Sequence, residues 1–420
     1  MSSSYNPLEK SIAKILSDYP VIKKVAKKSY SYISFILKKK NYKFLCENKL
    51  DCIEIPGHET FFGYYDKSPS NDENYILVYA TEYSTSKTPN PEHSIKLCLY
   101  DVATKKHEIV SEINAYNWQQ ASRAQWISKD EFIFNDFLEE EKHYVSKIYS
   151  IKEKSITRTL PYPIQDGFKD EYFLSINYSR LMTLRPDYGY RNLNEAEGFK
   201  LPSYNEDGIH RFEINGSSEL IISIQDVLDF DFTNDTEYEH KLNHVMISPD
   251  GEMFIFMHRY IYKGKRHDRL ILASSDGKLL KILANNGMVS HCAWLNNTQV
   301  VGYLRGNDGK DGYWVIDVQT GCMDSYLQQE LDSYGDGHPT VGLNSFVTDT
   351  YPNKSRMQTL MKVDTQSGKV EKLGEFFHGF KFDGETRCDL HPRVSSCNRF
   401  VFFDSVFSGK RQLYRMELPK

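Results

Sequence analysis

A short pattern that returns along the chain constrains the fold more than any other feature of the sequence. An apolar strand, a polar turn and a second apolar strand follow one another most clearly in residues 244–258, where Ser248-Pro-Asp-Gly251 forms the turn. The same order returns at 291–303, 338–349 and 391–404, and in weaker form at 64–79, 125–134 and 174–184. A period of about 40 to 50 residues indicates a repeat protein assembled from small sheets.

Seven such units predict an all-β chain folded as a seven-bladed β-propeller. Four short antiparallel strands would form each blade, and closure of the ring would leave few exposed sheet edges. An aromatic content of 14%, with 29 Tyr and 24 Phe, suits strands of this kind. We place the propeller in residues 51–420 and expect residues 185–209, which lengthen the third unit, to form an inserted loop.

Four histidines hold the same position in the last four units. His244, His291, His338 and His391 each stand four residues before the turn, at separations of 47, 47 and 53 residues. Because the innermost strands of a propeller line its central channel, we expect these side chains to converge on the axis. Imidazole can bind a metal ion or exchange a proton near neutral pH. A purely structural role between blades remains the alternative.

A carboxylate next to the last histidine favours a metal site. Asp389 and His391 are two residues apart, so on a strand both side chains point to the same face and can reach one divalent ion. The D-x-H triplet is common in proteins, and this pattern alone does not identify a metal.

Basic residues cluster around the same units, although the propeller region is acidic overall. They include Arg259, Lys263, Lys265, Arg266 and Arg269, and later Arg305, Arg356 and Arg393. Such a cluster at the channel would suit an anionic ligand. Tyr64 and Tyr65, which precede Asp66 and Lys67, could stack on sugars, but tyrosines in strands are more often part of the core.

Several chemistries lack their signatures in this sequence. It contains no Walker A loop, no dinucleotide-binding glycine motif, no H-E-x-x-H and no G-x-S-x-G. Nucleotide-dependent, zincin and serine-hydrolase activities are therefore unsupported. An acidic propeller also argues against nucleic acid as a partner.

The first 50 residues differ in charge from the rest of the chain. They carry 11 Lys and 3 acidic residues, whereas the remaining residues have a net charge of −13. Apolar residues at helical spacing with lysines between them predict amphipathic helices in residues 6–45, set apart from the propeller as a basic extension. They could lie on an anionic membrane surface, bind an acidic partner, or pack on the chain's own body or a second copy.

The sequence favours a cytoplasmic protein, with contact to the inner membrane surface as a possibility. No apolar run approaches the length of a membrane span, and the first ten residues lack the pattern of a signal peptide. The seven cysteines are scattered without a C-x-x-C pair, which fits free thiols in a reducing compartment.

The motifs of the last four units resemble those of the oligogalacturonate lyases, a family of seven-bladed propellers. They are Val289-Ser-His-Cys-Ala-Trp294, Asp336-Gly-His338, Asp389-Leu-His-Pro392, Phe402-Phe-Asp-Ser405 and Gly409-Lys-Arg-Gln-Leu-Tyr414. Over residues 53–418 the resemblance implies cleavage of uronic-acid oligosaccharides by β-elimination, with a manganese-type ion on the axis.

The same resemblance implies roles for individual residues. His291 would abstract the proton, His338 and His391 would bind the metal, and Arg269 or Arg266 would supply the supporting cation. Asp389 stands where the family has a histidine, so Mn²⁺ is expected and Ca²⁺ is an alternative. The candidates for contacts with the sugar are His244, Tyr65, Lys67 and Arg393.

The predicted function is a lyase that acts on a uronic-acid-containing glycan. Two alternatives from other classes remain. The propeller could bind a glycan or a protein without catalysis during surface-polysaccharide assembly, or it could be a glycoside hydrolase using a pair among Asp66, Asp349 and Asp404.

Overall fold

The strands of the described residues form seven antiparallel sheets, which are the blades of a propeller. The computed structural model describes residues 20–71, 74–193, 199–230, 239–262 and 264–419. The predicted all-β, seven-bladed fold is confirmed. Strands β1 (Phe44–Cys46) and β2 (Leu50–Ile53) precede the first blade and belong to the last two.

Blades 1 to 4 follow one another along the chain. Blade 1 contains β3 (Glu59–Phe61), β4 (Ser70–Asn71), β5 (Tyr75–Thr81), β6 (Ile95–Asp101) and β7 (His107–Ile113). Blade 2 contains β8 (Gln125–Trp126), β9 (Glu131–Leu138), β10 (His143–Ser150) and β11 (Ser155–Leu160). Blade 3 contains β12 (Asp166–Phe168), β13 (Tyr172–Ser175), β14 (Gly208–Phe212) and β15 (Ser218–Ser223). Blade 4 contains β16 (His240–Ile247), β17 (Met253–Tyr262), β18 (Lys265–Ser274) and β19 (Leu279–Ala284).

Blades 5 to 7 complete the ring. Blade 5 contains β20 (Val289–Trp294), β21 (Gln299–Arg305), β22 (Asp311–Asp317) and β23 (Met323–Asp324). Blade 6 contains β24 (Thr340–Val341), β25 (Ser345–Asp349), β26 (Met357–Asp364) and β27 (Val370–Phe377). Blade 7 contains β28 (Arg393–Val394), β29 (Phe400–Ser405) and β30 (Gln412–Glu417).

Strands from the amino-terminal region close the ring. Strand β2 pairs with β30, with Leu50 opposite Met416 and Ile53 opposite Leu413, and so becomes the outer strand of blade 7. Strand β1 pairs with β27 and adds a fifth strand to blade 6. The strands of the propeller therefore begin at Phe44, before the boundary at residue 51 that the sequence suggested.

An amphipathic helix, α1 (Pro20–Lys38), packs beside blade 6. Phe35 contacts Phe377 and Phe380 with ring centroids 5.7 and 5.4 Å apart, and Tyr32 contacts Phe380 at 5.7 Å. The first part of the predicted helical segment, residues 6–19, lies outside the described residues.

The third unit departs from the predicted strand–turn–strand order. The prediction of a second strand within residues 174–184 was wrong, because helix α2 (Tyr178–Leu184) occupies this stretch. Asn177 caps it by accepting hydrogen bonds from the backbone amides of Ser179 and Arg180, which fixes a helix start after a short strand. The other helices in the described part of the chain are short: α3 (Ile224–Asp229), α4 (Gln328–Leu331) and a 3₁₀ turn (Gly384–Thr386).

The central strands of the blades supply the apolar core. Val78, Phe134 and Phe256 on β5, β9 and β17 are fully buried. Burial of a side chain of this size contributes about 1.5–3 kcal/mol to folding. None of the seven cysteines, all of which lie in the described residues, forms a disulfide. Within the described residues, every helix is too short or too polar to span a lipid bilayer.

Candidate active site on the propeller axis

A break in the inner strand of blade 1 brings two tyrosines to the axis. Strands β3 and β4 both pair with β5, and residues 62–69 between them leave the sheet. The hydroxyl of Tyr65 reaches across the ring and donates to the backbone carbonyl of Cys292 in blade 5 at 2.9 Å. Gly63 makes this path possible, since it has φ +118° and a Cβ there would lie 2.9 Å from the backbone of Gln120.

The four repeated histidines form an arc around the tyrosines. The ring centroids of His244 and His291 are 6.2 Å apart, those of His291 and His338 are 4.0 Å apart, and those of His338 and His391 are 4.3 Å apart. His244 and His291 lie at bulges in β16 and β20, and His338 and His391 lie just before β24 and β28. The structure thus brings all four side chains together, and all four are buried.

Within the part of the chain that the structure describes, two of these imidazoles, those of His338 and His391, have a ring nitrogen without a hydrogen-bond partner. Nδ1 of His338 lies 2.7 Å from Oδ1 of Asp349, and Nδ1 of His391 lies 3.0 Å from the carbonyl of Gly63. In the neutral form of each ring, the proton therefore lies on Nδ1 and Nε2 keeps a lone pair. Among the described residues, neither buried Nε2 has a hydrogen-bond partner.

A carboxylate completes this group. One oxygen of Asp389 and one nitrogen each from His338 and His391 all lie within 4.8 Å of one another. Two imidazole nitrogens and a carboxylate oxygen form a donor set suited to a divalent cation such as Mn²⁺. The residues present therefore fit a metal ion, and the unpaired Nε2 atoms are the observation that supports this fit.

Asp389 is itself held by a cation. Nε of Arg387 donates to both of its carboxylate oxygens at 2.7 and 2.8 Å, and the guanidinium of Arg387 lies over the ring of Tyr351 at 4.8 Å. Burial raises the pKa of Asp389, but Arg387 outweighs burial and holds the pKa well below its usual range. Asp389 is therefore ionised and fixed in position.

His291 lies between the metal-type group and His244. Its Nδ1 lies 3.1 Å from Oδ1 of Asp336, and Ser290 donates to the other oxygen of Asp336 at 2.6 Å. Burial and the neighbouring His338 lower the pKa of His291 to about 4, against the opposing charge of Asp336. The ring is neutral near pH 7, and Asp336 fixes which nitrogen carries the proton.

Aromatic side chains cover the His244 end of the arc. Tyr188 comes from the inserted segment after α2, and its ring centroid lies 5.4 Å from that of His244 and 5.7 Å from that of Tyr64. The hydroxyl of Tyr64 contacts Nε2 of His244. Burial and then Arg259 lower the pKa of His244 well below its ordinary value, so this ring is neutral as well.

Four of the other sequence candidates have partners within the protein. Lys67 forms an ion pair with Asp166 beside a cavity of about 240 Å³ that Tyr65 also lines. Arg393 is fully buried and forms an ion pair with Asp404. Arg269 donates to Nδ1 of His258 and to the carbonyl of Val227, and Arg266 lies 3.2 Å from Asp268.

Comparison with known proteins identifies solved structures that share this fold. The sequence matches no family model and no curated protein. An oligogalacturonate lyase in complex with manganese matches the structure with a TM-score of 0.55 and 13% identity over 89% of this chain and 94% of that chain. An oligogalacturonate lyase from Vibrio parahaemolyticus matches with a TM-score of 0.55 and 13% identity over 91% and 98% of the two chains.

The chain has the seven-bladed fold of the oligogalacturonate lyases. At 13% identity, this likeness concerns the fold, and the activity has to be argued from the residues of the site.

Sequence reasoning missed several residues that lie around this candidate site. They are Lys241, Asp336, Arg387 and the inserted-segment residues Arg185 and Tyr188. Asp336 stands two residues before His338, as Asp389 stands before His391, so the repeat carried a signal for it. The positions of the inserted-segment residues depend on how that segment folds back over the axis, and no periodic pattern marks them.

Proposed function

We propose that this protein is a lyase that cleaves a uronic-acid-containing oligosaccharide by β-elimination. The observation that carries the proposal is the pair of buried, unpartnered Nε2 atoms of His338 and His391, grouped with Asp389 beside a neutral His291. A metal-binding group next to a neutral base is what removal of a proton beside a carboxylate requires.

Nε2 of His338, Nε2 of His391 and a carboxylate oxygen of Asp389 would hold a divalent cation. When bound, the cation would supply Lewis-acid chemistry by neutralising the carboxylate of the sugar. Asp349 and the carbonyl of Gly63 orient the two imidazoles for this task through their Nδ1 atoms. A carboxylate ligand beside two imidazoles suits Mn²⁺ first and Ca²⁺ second.

His291 acts as the general base in this proposal. The C5–H bond breaks, its proton moves to Nε2 of His291 and its electron pair forms the C4–C5 double bond. The C4–O bond breaks at the same time, and the oxygen of the leaving sugar keeps the electron pair of that bond and takes a proton from water. Asp336 accepts a hydrogen bond from Nδ1 and stabilises the imidazolium that forms. General-base catalysis of this kind contributes a factor of about 10²–10⁴ to the rate.

We assign the supporting cation to Arg259 in place of Arg269 and Arg266. Arg259 is buried, forms an ion pair with Asp268 and lowers the pKa of His244, so its charge reaches the arc. His244 and Tyr65 remain candidates for contacts with the sugar. Lys67 forms an ion pair with Asp166, and the fully buried Arg393 forms one with Asp404 and, together with burial, lowers the pKa of His391, so both are weaker candidates for contacts with the sugar.

A glycoside hydrolase is the weaker alternative for this site. Hydrolysis requires two carboxylates that face the scissile bond. The carboxylates considered for this role each have a partner in the protein: Asp66 with Arg123, Asp349 with His338, and Asp404 with Arg393. The elimination assay described below distinguishes the lyase from a propeller that binds a glycan without catalysis.

We further propose that α1 attaches the protein to an anionic membrane surface. Its outward face exposes Val25, Ile33, Ile36 and Leu37, with Leu37 78% exposed. Lysines flank this apolar face at positions 28, 38, 39 and 40, and all are exposed. An exposed apolar stripe bordered by lysines is typical of helices that lie in a lipid interface. The cytoplasmic location favoured by the sequence stays a prediction.

The first experiment is an elimination assay. Purified protein would be incubated with a panel of uronic-acid oligosaccharides, with and without Mn²⁺ or Ca²⁺, and the ultraviolet absorbance of an unsaturated product followed. We expect a cation-dependent rise that falls by about 10²–10⁴ in His291→Ala. Absence of product across the panel, with cation bound, would favour the glycan-binding propeller.

A further inference from the structure

Lys241 is a buried lysine whose amine has no partner. It lies on β16, the inner strand of blade 4, and only 2% of its surface is exposed. Within the described part of the chain, its Nζ makes no hydrogen bond. Lysines are almost never fully buried unless they are paired, because an ammonium group loses its hydration on burial. A ligand could therefore supply the partner that this amine lacks.

Other cations surround this amine. Arg259 lies directly opposite Lys241 in the pairing of β16 with β17, and its guanidinium also donates to the carbonyl of Val289 in blade 5 at 3.2 Å. Arg185 approaches from the inserted segment after α2, where it pairs with Asp187 at 3.3 Å. Arg266 shares Asp268 with Arg259.

The balance of these charges is positive. Three arginines, Arg185, Arg259 and Arg266, and two carboxylates, Asp187 and Asp268, make up the charged groups of this cluster around Lys241. Burial, Arg259 and Arg185 lower the pKa of Lys241 to about 6, while Asp187 and Asp268 act in the opposite direction. The ligand-free protein thus avoids a further positive charge by keeping this amine neutral near pH 7.

The cluster lies at one end of the histidine arc. Arg259 and Arg185 both act on His244, whose ring lies 6.2 Å from that of His291. The group of His338, Asp389 and His391 lies at the opposite end. His291 is therefore flanked by a metal-type group on one side and a basic cluster on the other.

We propose that Lys241, with Arg185 and Arg259, binds the carboxylate of the sugar residue next to the one that reacts at His291. This proposal rests on the proposed function, since it takes the reacting sugar to lie at His291. The site would then require two adjacent acidic sugars, one at each end of the arc. Lys241 would be a specificity-determining residue and would remain outside the bond-breaking steps.

A measurable consequence follows from the neutral amine. A carboxylate next to Nζ favours the ammonium form, so the amine takes up a proton from the buffer when the acidic sugar binds. We expect uptake of about one proton per ligand near pH 7.5. A lysine that only fills space would not change its protonation on binding.

The test is calorimetric binding to the full-length chain in the His291→Ala background, which prevents turnover, with EDTA present to remove cations. The probes are disaccharides of galacturonate, glucuronate and mannuronate and their neutral methyl esters. Titrations in PIPES and in Tris, which differ in ionisation enthalpy, report the protons taken up. Lys241→Met, Lys241→Arg and Arg185→Met are compared with Lys169→Met, a matched change at an exposed lysine.

We expect at least one acid to bind about tenfold more tightly than its ester, with proton uptake. Lys241→Met and Arg185→Met should remove this preference, Lys241→Arg should keep it without proton uptake, and Lys169→Met should change nothing. Equal binding of acid and ester, no binding of any acid, or proton uptake unchanged in Lys241→Met would each overturn the proposal.

The elimination assay separates this proposal from the proposed function. Lys241-dependent binding of an acid without any unsaturated product would leave the subsite standing and remove the lyase. Cation-dependent elimination with an unchanged KM in Lys241→Met would keep the lyase and overturn the subsite. A loss of kcat at constant KM in Lys241→Met would assign Lys241 to the chemical step and would also overturn the subsite proposal.

Discussion

Oδ1 of Asp349 accepts two hydrogen bonds from His338, one from Nδ1 at 2.7 Å and one from the backbone amide at 2.8 Å. Oδ2 of the same carboxylate accepts from the backbone amide of His391 at 3.1 Å. A single buried side chain therefore fixes both histidines of the candidate metal group. Burial alone would lower the pKa of His338, but the charge of Asp349 and its neighbours raises it above the ordinary value.

Asp349→Asn should weaken cation binding. The amide lacks the charge that orients the imidazole of His338, and loss of such a partner lowers metal affinity by about 10- to 100-fold. Titration of the purified protein with Mn²⁺ in a calorimeter measures the change. Asp308→Asn, at an exposed carboxylate that lies 3.8 Å from Lys310, is the control and should bind Mn²⁺ as the wild type does. Equal Mn²⁺ affinities in the two variants would contradict the role of Asp349 in orienting His338 for cation binding.

Arg393→Met should destabilise the propeller. Arg393 and Asp404 form a fully buried ion pair, and Arg393 also donates to the carbonyl of Tyr64 at 3.0 Å, which links blade 7 to the segment that carries the axial tyrosines. Removing one partner leaves a buried charge and costs about 3–5 kcal/mol. Urea denaturation measures the loss.

Lys410→Met is the control for this prediction. Its ion pair with Glu54 at 3.7 Å is exposed to solvent, so the change should cost about 0–1 kcal/mol. Losses of similar size in the two variants would show that Arg393 does not clamp the ring.

The free energy of unfolding of the wild type should rise with pH between the pKa values that Lys241 has in the folded and in the unfolded chain. Its pKa is 10.5 in an ordinary setting and about 6 in the fold, because burial and the neighbouring arginines disfavour the ammonium form. Between these values the unfolded chain holds one more proton than the folded chain, so raising the pH favours the fold. The free energy of unfolding, relative to Lys241→Met, should therefore increase from about pH 6 to about pH 10. Urea denaturation at a series of pH values measures the difference, which should be flat for Lys169→Met.

Wild-type protein should sediment with vesicles that contain anionic lipid and should remain in solution with neutral vesicles. The double change Ile36→Asp and Leu37→Asp should abolish sedimentation, because it places charges on the apolar face of α1. Added salt should weaken binding, since lysines contribute to it. Ile109→Asp, at a similarly exposed isoleucine of blade 1, should bind as the wild type does. Sedimentation of the double variant with anionic vesicles would refute the membrane role of α1.

The sequence by itself determined the architecture and one part of the site. Strand alternation, turn residues and a period near 50 residues are local properties, so seven blades and four equivalent histidines could be read without coordinates. The Asp389-Leu-His391 pair was readable for the same reason, because residues two apart on extended chain share a face. Helix α2 was not predicted, because the apolar residues of this stretch also fit a strand. Asn177, which caps the helix, was the one local signal for a helix start.

Only the tertiary structure decided which candidates face the axis and what each one touches. Arg269 and Arg259 lie on neighbouring strands of one blade, yet the first is held by His258 and Val227, while the charge of the second reaches His244. Lys241 stands three residues before His244 and became significant only through Arg185, which the inserted segment brings from blade 3. Electrostatic contacts of this kind join residues far apart in sequence, and their strength depends on burial and distance, which no local pattern encodes.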